Sequence, residues 1–300
     1  MSTLPDTIAD GIEDAAFLDP PADAATNVLH KLLPAGPLKD LLSGTPIGHP
    51  AHPMLVTVPI GAWLSANMLD VVGGRQGRAT ARRLVAMGTA AALPAALSGA
   101  SDWSDTMGAE RRVGLVHAAA NWAAIALYGS SWIARRKGRF TQGVGLAVLG
   151  AAAVGVGGWL GGHLSYSIGV GVDTTAFMTG PTEWTDALAE SDLAQGRPVS
   201  AMVGVVPVLL VRREGQVFAL ADRCTHRGGP LHEGDVVGDC IECPWHSSRF
   251  NLRDGRVVRG PATRPQPLFE TRVTDGRVQV RQIGEQHALR TNPVASSQSL

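Results

Sequence analysis

The chain has 300 residues, 45% of them apolar, and its 26 basic and 26 acidic residues cancel. That length gives room for two domains. The absence of any basic run interleaved with aromatics excludes a nucleic-acid-binding surface of the usual kind, so no nucleic-acid partner is expected.

The composition is uneven along the chain. Residues 1–44 form a Pro/Asp/Ala-rich leader without the apolar core of a signal peptide. Within it Val28, Leu29, Leu32, Leu33, Leu38, Leu41 and Leu42 make an apolar pattern broken by Pro34 and Pro37. This reads as short interfacial pieces preceded by disorder, or as a plain linker.

Four apolar runs follow, at 54–72, 84–100, 113–133 and 144–164, each near the roughly 20 residues that a spanning helix needs. Together they predict a four-helix transmembrane domain over 45–165. Its short connectors impose up-and-down topology. The fourth run carries Gly157, Gly158, Gly161 and Gly162, two overlapping small-xxx-small pairs of the kind that let helices approach closely in lipid. Asn67 and Asp70 read as structural, with Asp70 paired to Arg82 or Arg83.

The connectors on one side carry Arg75, Arg78, Arg82, Arg83, Arg135, Arg136, Lys137 and Arg139 and no acids, which marks that side as cytoplasmic. Both termini then face outward in a multi-pass protein of the bacterial cell membrane. A C-terminal domain that folds in the cytoplasm would have to be exported folded, for which Arg135 and Arg136 offer an internal twin-arginine signal. The alternative is that these cations only fix the topology.

After a linker at 166–180, apolar stretches flank Arg213-Glu214-Gly215 and Asp275-Gly276, with a third turn at Asp254-Gly255. An all-β domain is expected over 181–281, followed by a disordered tail at 282–300.

The chemistry is concentrated in Cys224-Thr225-His226-Arg227-Gly228-Gly229 and Cys243-Pro244-Trp245-His246-Ser247-Ser248. Each segment offers one thiolate and one imidazole. A Cys2His2 zinc site is the alternative, but the single residue between Cys224 and His226 is tighter than zinc-finger spacing. The two segments resemble the ligand loops of the Rieske family, over about 100 residues. That resemblance implies a [2Fe–2S] cluster held by Cys224, His226, Cys243 and His246, with two cysteines on one iron and two histidines on the other. With two cysteines so engaged, no intramolecular disulfide is expected, and Cys240 reads as a free or buried thiol. His232 reads as a surface residue near the cluster.

Quinol-oxidising members of that family bridge the loops through two further cysteines, at positions that Gly229 and Trp245 occupy here. In this the domain resembles the small Rieske ferredoxins that serve dioxygenases and nitrite reductases. Ser248 stands where high-potential members donate to a bridging sulfide, while Phe250 replaces their tyrosine, so an intermediate potential is expected. Too few residues follow the domain to hold a terminal oxygenase iron, so the chain should carry electrons rather than hydroxylate.

The helical region resembles a poorly characterised family of bacterial four-helix membrane domains that open with His-Pro-x-His-Pro, here residues 49–53, and carry His-x-x-x-Asn, here His117 and Asn121. His49, His52, Asp102, His117 and His163 all fall toward one side of the bundle. They could hold a b-type haem (His117 with His52 or His163), or bind a metal or quinone headgroup, or form a plain hydrogen-bond network in which Asp102 pairs with Arg111 or Arg112.

The fold class expected is thus a membrane α-helical bundle of four transmembrane helices plus an all-β Rieske domain. The function expected is one-electron transfer between a quinol or reduced partner and a redox protein. The alternatives are a tethered donor to an oxygenase or reductase, or a membrane redox sensor.

Overall fold

The computed structural model describes residues 4–283, which form two units: residues 4–34, 41–44 and 50–170, and residues 35–40, 45–49 and 171–283. His49 therefore belongs to the second unit and not to the bundle. Most of the tail expected to be disordered lies outside the described residues, although Gln282 still ends the last strand.

In the first unit the leader is helical where disorder was expected. Helix α1 spans Leu4–Glu13 and α2 spans Asp19–Leu32, with Pro20 and Pro21 in the first turn of α2, where a missing N–H costs nothing. The tertiary reason is charge complementarity with the end of the bundle. Arg112 Nε lies 2.6 Å from Asp19 Oδ1, Arg111 Nη1 lies 2.6 Å from Asp23 Oδ1, and His163 Nε2 lies 2.7 Å from Glu13 Oε1. Arg111 and Arg112 thus find partners in the leader.

Helix α3 is Pro37–Ser43 and α4 is Ala51–Leu55. Four long helices follow: α5 (Thr57–Val72), α6 (Gly74–Ser104), α7 (Gly108–Arg136) and α8 (Phe140–Gly162). Sequential neighbours pack together and α8 returns to α5, which closes the bundle. Three helical stretches, Ala51–Val72, Gly74–Ser104 and Phe140–Ser167, are long and apolar enough to cross a membrane. The 29-residue α7 falls outside that group because its charge-free middle carries His117, Asn121, Ser130 and Ser131, which lower its hydropathy.

Large side chains of one helix sit on glycines of the next. Trp63 lies against Gly88 and Tyr128 against Gly150, and the two rings stack with centres 4.4 Å apart. In α8 only one of the two expected glycine pairs faces a neighbour: Gly157 meets Asn121 and Gly161 meets His117, whereas Gly158 faces open space.

Asp70 pairs with Arg135, not with Arg82 or Arg83. The guanidinium is bidentate, with Nη1 2.7 Å from Oδ1 and Nη2 on Oδ2, and its Nε donates to Ser131 Oγ at 3.0 Å. Arg135 is 1% exposed. A lone buried charge is expensive, so the interior carboxylate captures the interior cation rather than a solvated one.

The second unit holds two antiparallel sheets. The larger contains β1 (Thr185–Ala189), β2 (Val199–Val203), β3 (Val206–Arg213), β4 (Gln216–Ala221), β9 (Leu268–Thr274) and β10 (Arg277–Gln282), in the order β1-β10-β9-β4-β3-β2. The smaller contains β5 (Asp235–Val237), β6 (Cys240–Glu242), β7 (Arg249–Asn251) and β8 (Val257–Arg259), in sequence order. The expected hairpins form at Glu214-Gly215 and Asp275-Gly276, where both residues take positive φ (51° and 77°, 52° and 71°), as two-residue turns require.

The period-2 alternation of β3 divides its side chains between two cores. Val208 and Leu210 join Ala219, Ala221, Val278 and Val280 on one face, and Leu209 and Val211 join Leu220, Ile241 and Phe250 on the other. The second core contains Cys224 and Cys243, so both thiols rest on apolar packing.

Candidate iron–sulfur site

The two predicted loops adopt the same local fold. Gly228 N donates to Cys224 O at 2.8 Å and Cys224 N donates to Gly229 O at 2.9 Å. In the second loop Ser247 N donates to Cys243 O at 3.0 Å and Cys243 N donates to Ser248 O at 2.8 Å. Four residues past each cysteine the chain takes positive φ, at Gly228 (78°) and at Ser247 (60°). A serine there accepts a left-handed backbone that glycine adopts more readily.

The turns aim backbone N–H groups at sulfur: those of His226 and Arg227 at Cys224, and those of Trp245 and His246 at Cys243. The Cys224 thiol donates to Cys243 Sγ. That hydrogen bond, with burial added, pushes Cys224 well up. The same bond, opposed by burial and reinforced by the Trp245 and His246 amides, holds Cys243 down at about 7. The two sulfurs thus share one proton, and Cys243 is the one held toward thiolate, the form that ligates metal.

The His226 and His246 rings stand with centres 5.0 Å apart and planes at 90°. Two imidazoles bonded to one tetrahedral metal through bonds of ~2.1 Å would have centres roughly 5 Å apart. The loops therefore bring two thiols together and two imidazoles together, as a cluster with two cysteine and two histidine ligands needs.

Gly229 and Trp245 meet between the loops. A Cβ on Gly229 would lie 2.9 Å from Cys243 Sγ and 3.0 Å from the Trp245 ring. Ser248 is fully buried and its Oγ accepts Ala262 N–H at 3.0 Å, which leaves the hydroxyl proton for another acceptor. Cys240 is 8% exposed on β6, opposite Asn251, and burial raises its thiol.

Several residues that hold the loops escaped sequence reasoning. Gln266 is fully buried; its Nε2 donates to Ala221 O (2.7 Å) and Arg223 O (2.6 Å) while its Oε1 accepts Thr225 N–H (3.2 Å). Its position between Pro265 and Pro267 was the available signal, because two prolines rigidify an extended segment. Thr174 Oγ1 donates to Cys224 O at 2.7 Å. Arg259 links Ser247 O (2.7 Å) to Glu242 Oε1 (2.8 Å). Burial alone would raise the Glu242 carboxyl, but the Arg249 hydrogen bond and the Arg259 charge hold it below the usual range. His232 is more than a surface residue, since its Nδ1 lies 2.6 Å from Oδ2 of the buried Asp222.

Of the residues expected to gather in the bundle, the structure brings His52 and His117 together, with ring centres 6.3 Å apart. His163 instead bonds Glu13, His49 lies in the other unit, and Asp102 sits in the last turn of α6.

Comparison with known proteins agrees with this architecture. Residues 183–280 match the family described as Rieske [2Fe-2S] domain, and residues 48–174 match that described as Predicted membrane protein (DUF2231). The chain is 39% identical over 99 residues to ferredoxin CarAc of Metapseudomonas resinovorans, covering 32% of this chain and 92% of that protein. It is 32% identical over 98 residues to the anthranilate 1,2-dioxygenase ferredoxin subunit of Burkholderia cepacia, covering 33% and 91%. Among solved structures, the ferredoxin of carbazole 1,9a-dioxygenase from Nocardioides aromaticivorans IC177 aligns at 25% identity over 33% of this chain and 98% of its own, with a TM-score of 0.32. Through residues 183–280 the chain belongs to the Rieske [2Fe–2S] ferredoxin family, and it joins that domain to an N-terminal domain of the DUF2231 predicted membrane proteins.

Proposed function

We propose that the chain is a membrane-anchored, ferredoxin-type electron carrier in which Cys224 and Cys243 hold one iron of a [2Fe–2S] cluster, His226 and His246 hold the other, and Ser248 donates to cluster sulfur. The observation that carries the reading is the paired arrangement of the loops, with thiol beside thiol and imidazole rings 5.0 Å apart. When bound, the cluster supplies a one-electron couple at a potential raised by its neutral imidazole ligands. The protein directs amides at both sulfurs, buries the thiols, and keeps the rings half-buried and half-exposed.

Anchoring rests on the three long apolar stretches, with α7 as a fourth span whose charges lie at its two ends. Arg135 is neutralised by Asp70, yet Arg75, Arg78, Arg82, Arg83, Arg136, Lys137 and Arg139 still mark one side as cytoplasmic. The chain enters and leaves the four spans on the opposite, outer side.

Gly229 and Trp245, in place of bridging cysteines, favour a protein partner of the kind that dioxygenase ferredoxins serve over direct quinol oxidation. The test is to reduce the detergent-purified full chain with a ferredoxin reductase or with a quinol, and to follow electron delivery to a Rieske-type oxygenase. Fast reduction by the reductase and delivery to the oxygenase are expected. Reduction by quinol alone would replace this reading with quinol oxidation, and a chain without acid-labile sulfide would overturn the cluster assignment.

A further inference from the structure

His52 on α4 and His117 on α7 are seated in the bundle in the same way. His52 Nδ1 lies 2.9 Å from Ala95 O on α6, and His117 Nδ1 lies 2.8 Å from Gly157 O on α8. A carbonyl oxygen can only accept, so each Nδ1 carries the proton, and in the neutral ring each Nε2 is the basic nitrogen. The residue one turn beyond each carbonyl is a glycine: Gly99 follows Ala95 and Gly161 follows Gly157. A Cβ on Gly99 would meet the His52 ring at 2.7 Å, and one on Gly161 would meet the His117 ring at 3.1 Å. Each facing helix has opened a carbonyl to an imidazole by omitting a side chain.

Donating the Nδ1 proton to a backbone carbonyl is how proteins fix an imidazole to ligate metal through Nε2. The ring centres lie 6.3 Å apart with planes at 78°. Two imidazoles on opposite sides of one metal, with bonds of ~2.1 Å, would have centres roughly 6.4 Å apart, whereas on a tetrahedral metal they would stand roughly 5 Å apart. The pair in the cluster domain fits the second geometry, and the pair in the bundle fits the first. A structural histidine in an apolar bundle would use both nitrogens, because unsatisfied polar atoms there are expensive. His52 Nε2 has no hydrogen-bond partner among the described residues. His117 Nε2 has the Asn121 amide nitrogen 3.2 Å away, but that nitrogen is also 3.5 Å from His117 Nδ1, so it lies over the ring face and off the in-plane lone pair that a metal would take.

We propose that His52 and His117 form a second metal centre, in which a transition metal of low net charge is held between their two Nε2 atoms. Imidazole suits iron, copper and zinc alike, so charge must discriminate. Two neutral ligands would leave a bare divalent ion uncompensated in an apolar setting. A cuprous ion carries half that charge, and ferrous iron in a porphyrin carries none. The shared chemistry is trans coordination by two neutral imidazoles, and the source is either haem iron or copper.

The centre can be tested independently of the [2Fe–2S] assignment, because a [2Fe–2S] cluster contributes equal iron and acid-labile sulfide. The full chain is purified in detergent from cells supplied with copper and a haem precursor. Its copper, zinc, iron and sulfide contents and its visible spectrum are then measured. Iron in excess of sulfide with a Soret band identifies haem, and one copper per chain without a Soret band identifies a cuprous site. In either case occupancy should fall about tenfold or more in His52→Ala and in His117→Ala. His52→Met and His117→Met should retain metal with an altered spectrum, which separates loss of a ligand from loss of fold. Iron equal to sulfide with neither haem nor copper would overturn the proposal, as would zinc alone, or full occupancy in both alanine variants.

Discussion

Ser248 Oγ accepts the amide proton of Ala262 at 3.0 Å, and both residues are fully buried. The bond orients the hydroxyl so that its own proton points to a different acceptor. If that acceptor is cluster sulfur, Ser248→Ala removes a hydrogen bond that strengthens on reduction. A bond to a charged group contributes about 1.5–3 kcal/mol, which for a one-electron couple is roughly 65–130 mV. The midpoint potential of Ser248→Ala should therefore drop by that amount with the cluster retained, as protein-film voltammetry would record. An unchanged potential would remove Ser248 from the cluster's surroundings.

Gly229 is required by proximity to Cys243 Sγ, since it takes no left-handed backbone. In Gly229→Ala the added methyl must displace either the sulfur or the Trp245 ring, at a cost of about 1–3 kcal/mol. Iron and sulfide per chain should fall while the β-sheet circular dichroism persists. Gly229→Ala with Trp245→Ala should recover part of the loading.

Asp40 Oδ1 accepts Gly260 N–H at 3.0 Å, and burial raises the Asp40 carboxyl above its usual value even though Gly260 and Arg259 pull it down. A raised folded-state value means the native protein binds this proton more tightly than the unfolded chain does. The contribution of Asp40 to stability is therefore full below about pH 3.9 and is lost as pH rises through the folded value. Asp40→Asn keeps the acceptor and removes the titration, so it should be at least as stable as wild type at neutral pH. Asp40→Ala removes the acceptor and should cost roughly 1–3 kcal/mol at every pH. Thermal melts from acid to neutral pH would separate the two variants.

Breaking the Asp70–Arg135 pair should be severe. Asp70→Asn leaves the fully buried guanidinium without its counter-charge, a loss of about 3–5 kcal/mol. Replacing both partners, Asp70→Leu with Arg135→Met, should restore most of the stability. Detergent melting temperatures of the single and double variants test this.

If the Rieske domain faces outward, as proposed, protease added to right-side-out vesicles should release a fragment carrying the cluster ligands. Full protection in such vesicles, with cleavage in inverted ones, would reverse the assignment.

Features that depend on near neighbours along the chain were legible without the fold. Cys224-x-His226 and Cys243-x-x-His246 each place a thiol and an imidazole on one short loop whatever the rest of the protein does, and those two loops carried the resemblance to Rieske ligand segments. Glu214-Gly215 and Asp275-Gly276 announced hairpins because their backbone conformations are set locally. Long apolar runs announced the helices, since length and hydropathy are local sums.

Tertiary structure decided every pairing between distant residues. Asp70 chose Arg135 over the nearer Arg82 and Arg83 because it faces the bundle interior. The acidic leader became helical because Asp19 and Asp23 met Arg112 and Arg111. Gln266 was legible only as a polar residue between prolines until its amide was seen to join Ala221, Arg223 and Thr225. Of five candidate bundle residues, only His52 and His117 came together, because Gly99 and Gly161 opened their helices to the rings. Local sequence restricts the conformations available to each segment, whereas packing and charge burial select which distant groups meet.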